Sequence, residues 1–214
     1  RRGPMSSSMR ILCFGDSLTA GYAPSWGSFT PYAEALAAEL RQRRPAVAVE
    51  VDAAGFSGFT TADMLQYAAE ATRAPISGEA LPGLELAMGK KEYDCVVLLA
   101  GTNDLGRGSP CEEIVGHVKQ LHGLVHGQRV ATVALGVPES AFAVRVESAK
   151  TRRVCINDAL KAWANLQEQV SFVEFPVMYN QSEVSEGLWD PDGLHLSPRG
   201  YQELGRRLAE ALPI

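Results

Sequence analysis

The stretch Ile11-Leu12-Cys13-Phe14-Gly15-Asp16-Ser17-Leu18 decides how the chain is read. Four apolar residues in unbroken succession suit a strand buried on both faces, as the interior of a parallel sheet requires. Gly15 and Asp16 then turn the chain into a helix-forming stretch. A serine at the mouth of such a strand is where a nucleophile can be held rigidly, although Gly-Asp-Ser behind a strand is also an ordinary turn. The weight of Ser17 therefore depends on what the rest of the chain supplies.

Apolar runs at 47–53, 95–100, 130–135 and 170–175 repeat the pattern set by 10–14. Helix starts lie between them. Thr30-Pro31 places a cap residue before a proline at the first helical position, leading to Leu36 and Leu40. Ser109-Pro110-Cys111-Glu112 reads as a capping box, and Ile114, Val118, Leu121 and Val125 behind it share one helix face. Thr60 or Thr61 caps a third helix, a fourth runs over 147–166, and Ser197-Pro198 opens the last. Strands alternating with helices predict an α/β protein, a three-layer α/β/α sandwich. Right-handed crossovers bring the C-terminal ends of its strands to one edge, where ligands bind in open α/β sheets.

A chain of 214 residues, 46% hydrophobic, can bury one substantial core, so residues 10–214 read as a single domain. Residues 1–9 lack an apolar signal core and read as a disordered extension or a cloning remnant. A net charge of −5 and the absence of a long basic block exclude a nucleic-acid footprint. The run Arg41-Gln42-Arg43-Arg44 instead solvates the end of a helix. No apolar stretch reaches the roughly 18 residues needed to span a bilayer. Cys13, Cys95, Cys111 and Cys155 lack metal-like spacing, and the first two sit in apolar runs, which points to a reduced, cytoplasmic protein. Asn180-Gln181-Ser182 fits a glycosylation sequon that matters only if the chain is secreted.

A serine hydroxyl needs an imidazole to accept its proton. His117, His122 and His126 follow one helix and suggest a solvated face, and a zinc reading of His122 and His126 lacks the glutamate of H-E-x-x-H. His195 differs, because it precedes a helix start on the segment returning to the active edge. Asp192, three residues earlier, can turn back to hold its other ring nitrogen, while Asp192-Gly193 alone is also a plain turn. Donors for an oxyanion are available from the Ser17 amide, a glycine amide in the loop after the second strand, and the Asn103 carboxamide. Asn103 bonding its own turn is the equally simple alternative.

Gly15-Asp16-Ser17-Leu18, Gly101-Thr102-Asn103-Asp104 and Asp192-Gly193-Leu194-His195, in that order, resemble the serine, asparagine and histidine blocks of the GDSL, or SGNH, hydrolases. In the glycine block Ala53 stands where the family usually has an asparagine, Gly55 is the turn glycine, and Gly58 takes the oxyanion position in preference to Gly55. The resemblance implies a flavodoxin-like five-stranded parallel sheet ordered 2-1-3-4-5 and ester hydrolysis through an acyl-enzyme. Ser17 would attack, His195 would shuttle the proton and Asp192 would orient it. The amides of Ser17 and Gly58 and the Asn103 side chain would hold the oxyanion, without metal or cofactor. The absence of G-x-S-x-G argues against the other common hydrolase plan. Leu18, Phe56, Phe59, Phe142 and Trp189 are the expected substrate-pocket residues, for a small-molecule ester of short- to medium-chain acyl type. Two other readings stand beside this one: a flavodoxin-like protein binding phosphate or flavin on loop 17–21, and a silent interaction module. The sequence carries no signal for an oligomeric state.

Overall fold

The computed structural model describes residues 7–127 and 130–214. The opening apolar run is β1 (Ser7–Gly15), paired on one side with β2 (Val47–Gly55) and on the other with β3 (Cys95–Leu99). Next come β4 (Ala131–Leu135) and β5 (Val170–Val173), all parallel, giving the order β2-β1-β3-β4-β5. This is the expected 2-1-3-4-5. β1 begins earlier than its apolar run because its pairing continues back to Ser7 opposite Val47. The rest of the expected N-terminal extension, residues 1–6, lies outside the described residues.

The helices of the first half are α1 (Ser17–Ala20), α2 (Tyr32–Arg43), α3 (Thr61–Gln66), α4 (Leu84–Lys90) and α5 (Thr102–Arg107). The second half holds α6 (Cys111–His126), α7 (Ala141–Arg145), α8 (Glu147–Ala164), α9 (Gln181–Ser185) and α10 (Pro198–Ala211). Alternation along the central strands divides the core into two layers, since successive side chains face opposite ways. Ile11, Cys13, Val97 and Leu99 meet Leu36 and Leu40 of α2 and Leu204 and Leu208 of α10. Leu12, Phe14, Val96 and Leu98 meet Met88 of α4, Ile114 and Val118 of α6 and Ile156 of α8. Two small antiparallel hairpins, Tyr22–Ala23 with Ser28–Phe29 and Ala71–Arg73 with Ala80–Pro82, were not legible in the apolar pattern.

Several local expectations change. Thr60 caps α3 with a complete capping box to Asp63, and Ser197 caps α10, but the residues preceding α2 and α6 are Pro31 and Pro110, without side-chain caps. His122 is fully buried rather than solvated, because it shares the inward face of α6 with Val118, Leu121 and Val125. Its Nδ1 lies 2.7 Å from the Thr132 hydroxyl, which His126 Nε2 approaches at 2.9 Å. Burial drives the His122 pKa down to about 3. Cys13 and Cys95 are free and buried, whereas Cys111 and Cys155 form a disulfide between α6 and α8. That bond corrects the expectation of four reduced thiols. Among the described residues no helix is long and apolar enough to cross a membrane.

The register at the end of β1 positions the site. Gly15 is level with Gly55 and with Leu99, so three successive loops leave one sheet edge side by side. Glycine is needed at both places: a Cβ on Gly15 would lie 2.2 Å from Leu99 O, and one on Gly55 would lie 2.1 Å from Ala20 N. α1 therefore sits directly on the sheet edge, and Ser17 with it.

Candidate active site

Ser17 is the first residue of α1, and Asp16 caps that helix. The Asp16 Oδ1 accepts the Leu18 N–H at 2.9 Å, and the Asp16 carbonyl accepts from Thr19 and Ala20. Burial pushes the Asp16 carboxyl up to about 6, against the lowering influence of the Leu18 bond and of His195. The Asp16 side chain occupies the Leu18 amide at the start of α1, so a phosphate on loop 17–21 would meet a buried carboxyl group there.

His195 arrives on a tight turn. The Asp190 N–H donates to the His195 carbonyl at 2.9 Å, and the Gly193 N–H donates to the Asp190 carbonyl at 2.9 Å. Asp192 Oδ1 accepts the Leu194 and His195 amides at 2.8 and 2.9 Å, while its Oδ2 lies 2.6 Å from His195 Nδ1. Nδ1–H donating to that carboxylate leaves Nε2 as acceptor for the Ser17 hydroxyl, 2.9 Å away. Burial pushes the Asp192 carboxyl up, but the His195 ring and the two amides outweigh it and hold the group below its ordinary value. The Tyr22 ring packs edge-on against the imidazole, with centroids 5.2 Å apart. Ser17 and His195 are 6% and 9% exposed, enough for a substrate to reach and little enough to exclude bulk water.

The loop after β2 supplies the other side. Gly58 has φ of +83°, a conformation that favours glycine, and neither its N–H nor that of Ser17 has a hydrogen-bond partner among the described residues. Asn103 donates one amide hydrogen to the Phe59 carbonyl at 2.9 Å, which leaves its other for a ligand. Gly55, the alternative oxyanion glycine, ends β2 and serves the close packing of α1.

The five expected pocket residues separate. Leu18, Phe56 and Trp189 are buried in the hydrophobic core, and Phe59 stacks on Phe56 with centroids 5.0 Å apart. Phe142 is 45% exposed and does line a cavity, of about 310 Å³, which also touches Asn103, Leu105, Gly106, Pro138 and Asp192. The large aromatics were drawn into the core because it offered them the most apolar contact.

Further contacts at the site have faint sequence signals or none. Asp190 Oδ1 accepts from the Ser25 hydroxyl at 2.8 Å and the Asp192 amide at 3.0 Å, and its Oδ2 accepts the Ser25 N–H at 3.0 Å. The doubled acid in Asp190-Pro191-Asp192 was the one available hint. From α5, the Arg107 guanidinium donates to the Gly58 carbonyl at 2.9 Å. The buried Asp104 accepts the Thr61 N–H at 3.0 Å and the Thr61 hydroxyl at 2.6 Å.

The arrangement places the Ser17 hydroxyl against the His195 imidazole, which Asp192 holds from its other side. Similar solved structures share its fold. A family 3 carbohydrate esterase from Clostridium thermocellum superimposes with a TM-score of 0.69 at 18% identity, covering 96% of this chain and 95% of that one. A carbohydrate acetylesterase family member from Sinorhizobium meliloti gives 0.66 at 19%, covering 94% and 96%. The lipase/acylhydrolase from Enterococcus faecalis gives 0.62 at 21%, covering 94% of each. No curated protein sequence matches the chain. The model of the GDSL-like lipase/acylhydrolase family matches residues 13–203, from β1 into α10, and the chain therefore belongs to that family of ester hydrolases.

Proposed function

We propose that the protein is a serine esterase that hydrolyses carboxylic esters, of short- to medium-chain acyl type, through an acyl-enzyme on Ser17. The observation that carries this reading is the continuous chain from Asp192 through His195 to Ser17, at 2.6 and 2.9 Å, between residues far apart in sequence. Ser17 Oγ attacks the ester carbonyl carbon as its proton passes to His195 Nε2, and Asp192 stabilises the imidazolium. The carbonyl oxygen takes the negative charge and is held by the amides of Ser17 and Gly58 and the carboxamide of Asn103. Collapse breaks the bond to the alcohol oxygen, which leaves with the proton from His195. Water then gives a proton to Nε2 and attacks the acyl carbon. Collapse of this second adduct returns the proton to Ser17 Oγ and frees the carboxylic acid.

The cavity beside Asn103 supports the acyl range, since about 310 Å³ lies at the small end of ligand pockets. Two of the similar structures are carbohydrate esterases, and acetylated sugars fall within the proposed substrate class. The Cys111–Cys155 disulfide favours an oxidising compartment over the cytoplasm expected from reduced thiols. The direct test is labelling with a fluorophosphonate, followed by hydrolysis of aryl esters of increasing acyl length. Label on Ser17, with labelling and turnover both lost in Ser17→Ala, is the expected result. Label on another residue, or full activity in Ser17→Ala, rules the mechanism out.

A further inference from the structure

We propose that Arg107 and Asp104 of α5 are positioning residues for the Gly58 amide. The proposal rests on the oxyanion role given to Gly58 above. Segment 56–60 lies between β2 and α3 and has no regular structure of its own. Glycine at 58 has the widest choice of backbone conformations of any residue. An oxyanion donor works only if its direction is settled before the charge develops. Within it the Phe59 N–H reaches the Phe56 carbonyl at 3.1 Å and closes a turn across Gly58, but the Gly58 carbonyl finds its partner outside the segment.

α5 holds the segment at three points. Arg107 donates to the Gly58 carbonyl at 2.9 Å, Asn103 donates to the next carbonyl, Phe59, at 2.9 Å, and Asp104 accepts the Thr61 amide and hydroxyl at 3.0 and 2.6 Å. Asn103 and Arg107 are four residues apart, so they project from one side of the helix and take adjacent carbonyls. Holding the carbonyls at 58 and 59 limits rotation about the two peptides that follow Gly58. Asp104 fixes the exit of the segment where α3 begins. The Thr61 hydroxyl gives its hydrogen to Asp104 and so receives one from His117 Nδ1, 3.0 Å away, which extends the brace to α6. Both charges serve neutral backbone or hydroxyl groups, and charge-assisted bonds of this kind are the stronger ones.

The test compares wild type with Arg107→Ala, Arg107→Lys and Asp104→Asn on one aryl ester, together with binding of an alkyl boronic acid that forms a tetrahedral adduct on serine. Arg107 is an exposed side chain, so Arg107→Ala should keep the fold, with an unchanged melting temperature as the control. Its kcat should fall roughly 5- to 10-fold with KM nearly constant, and boronate affinity should fall by the same factor. Added methylguanidinium should restore part of kcat in Arg107→Ala and nothing in wild type. Asp104→Asn should lose more than Arg107→Ala, because Asp104 is buried. Wild-type kcat and boronate affinity in Arg107→Ala would overturn the proposal while leaving the esterase reading intact. A rise in KM alone would also overturn it, by making Arg107 a substrate contact. A wild type with neither ester turnover nor Ser17 labelling overturns both readings.

Discussion

The turn that carries His195 and the loop that carries Gly58 flank the same serine, but they are held in place by different means. The first is closed mainly by its own residues: Asp190 and His195 bond through their backbones, and Asp192 binds two amides within three positions of itself, while Ser25 and Ala141 each hold it from outside. The second closes one turn of its own, from the Phe59 N–H to the Phe56 carbonyl, and takes its other restraints from α5, about forty residues along the chain, through Asn103, Asp104 and Arg107. A self-closed turn can be altered at one residue and fail at that residue. A borrowed loop divides its restraint among several distant side chains, and each loss is partial.

Substitutions on the two sides should separate accordingly. Asp192→Asn removes the carboxylate that sets the His195 tautomer and should lower kcat by about 10⁴, measured on an aryl ester at neutral pH. A loss below about tenfold would mean that the backbone turn, and not the carboxylate, orients the ring. Asn103→Ala removes the proposed oxyanion donor together with a brace on Phe59, and should lower kcat by roughly 10²–10³ with KM little changed. A change in KM alone would contradict a transition-state role.

Acid should expose the borrowed side in another way, because α6 carries both His117, which meets Thr61, and the buried His122. The unfolded chain protonates His122 near its ordinary 6.5, whereas the folded protein resists until about 3. Stability from this group is therefore full above pH 6.5 and is lost progressively as pH falls from 6.5 towards 3. At pH 4.5 the loss should be about 2–3 kcal/mol. Denaturant melts of wild type and His122→Gln across this range check it, with a flatter dependence expected in the variant.

The same contrast governs how much could be read in advance. Asp192 and His195 are three residues apart, and their partnership was visible because a turn of that length brings them together by itself. The sheet order and the rim holding Ser17 and Asn103 were legible from the apolar runs and the three motif blocks. Arg107, Asp104 and Ser25 were not, since nothing in a linear sequence says which helix face or loop will abut another. His122 was misplaced for a related reason. Its spacing from His126 drew attention to the pair, while its equal alignment with Leu121 and Val125 was the signal that mattered. Of the aromatic residues expected in the pocket, Phe56 and Trp189 are buried, because a linear sequence does not say which aromatic side chains the core will take.

Cys111 and Cys155 close a covalent ring 44 residues long that contains β4, α7 and the Pro138 and Phe142 wall of the cavity. Even in the unfolded chain that ring holds its two ends together, which on chain-entropy grounds stabilises the folded form by about 4 kcal/mol. The cavity wall thus lies within a covalent ring, apart from the hydrogen bonds that join Asp192, His195 and Ser17.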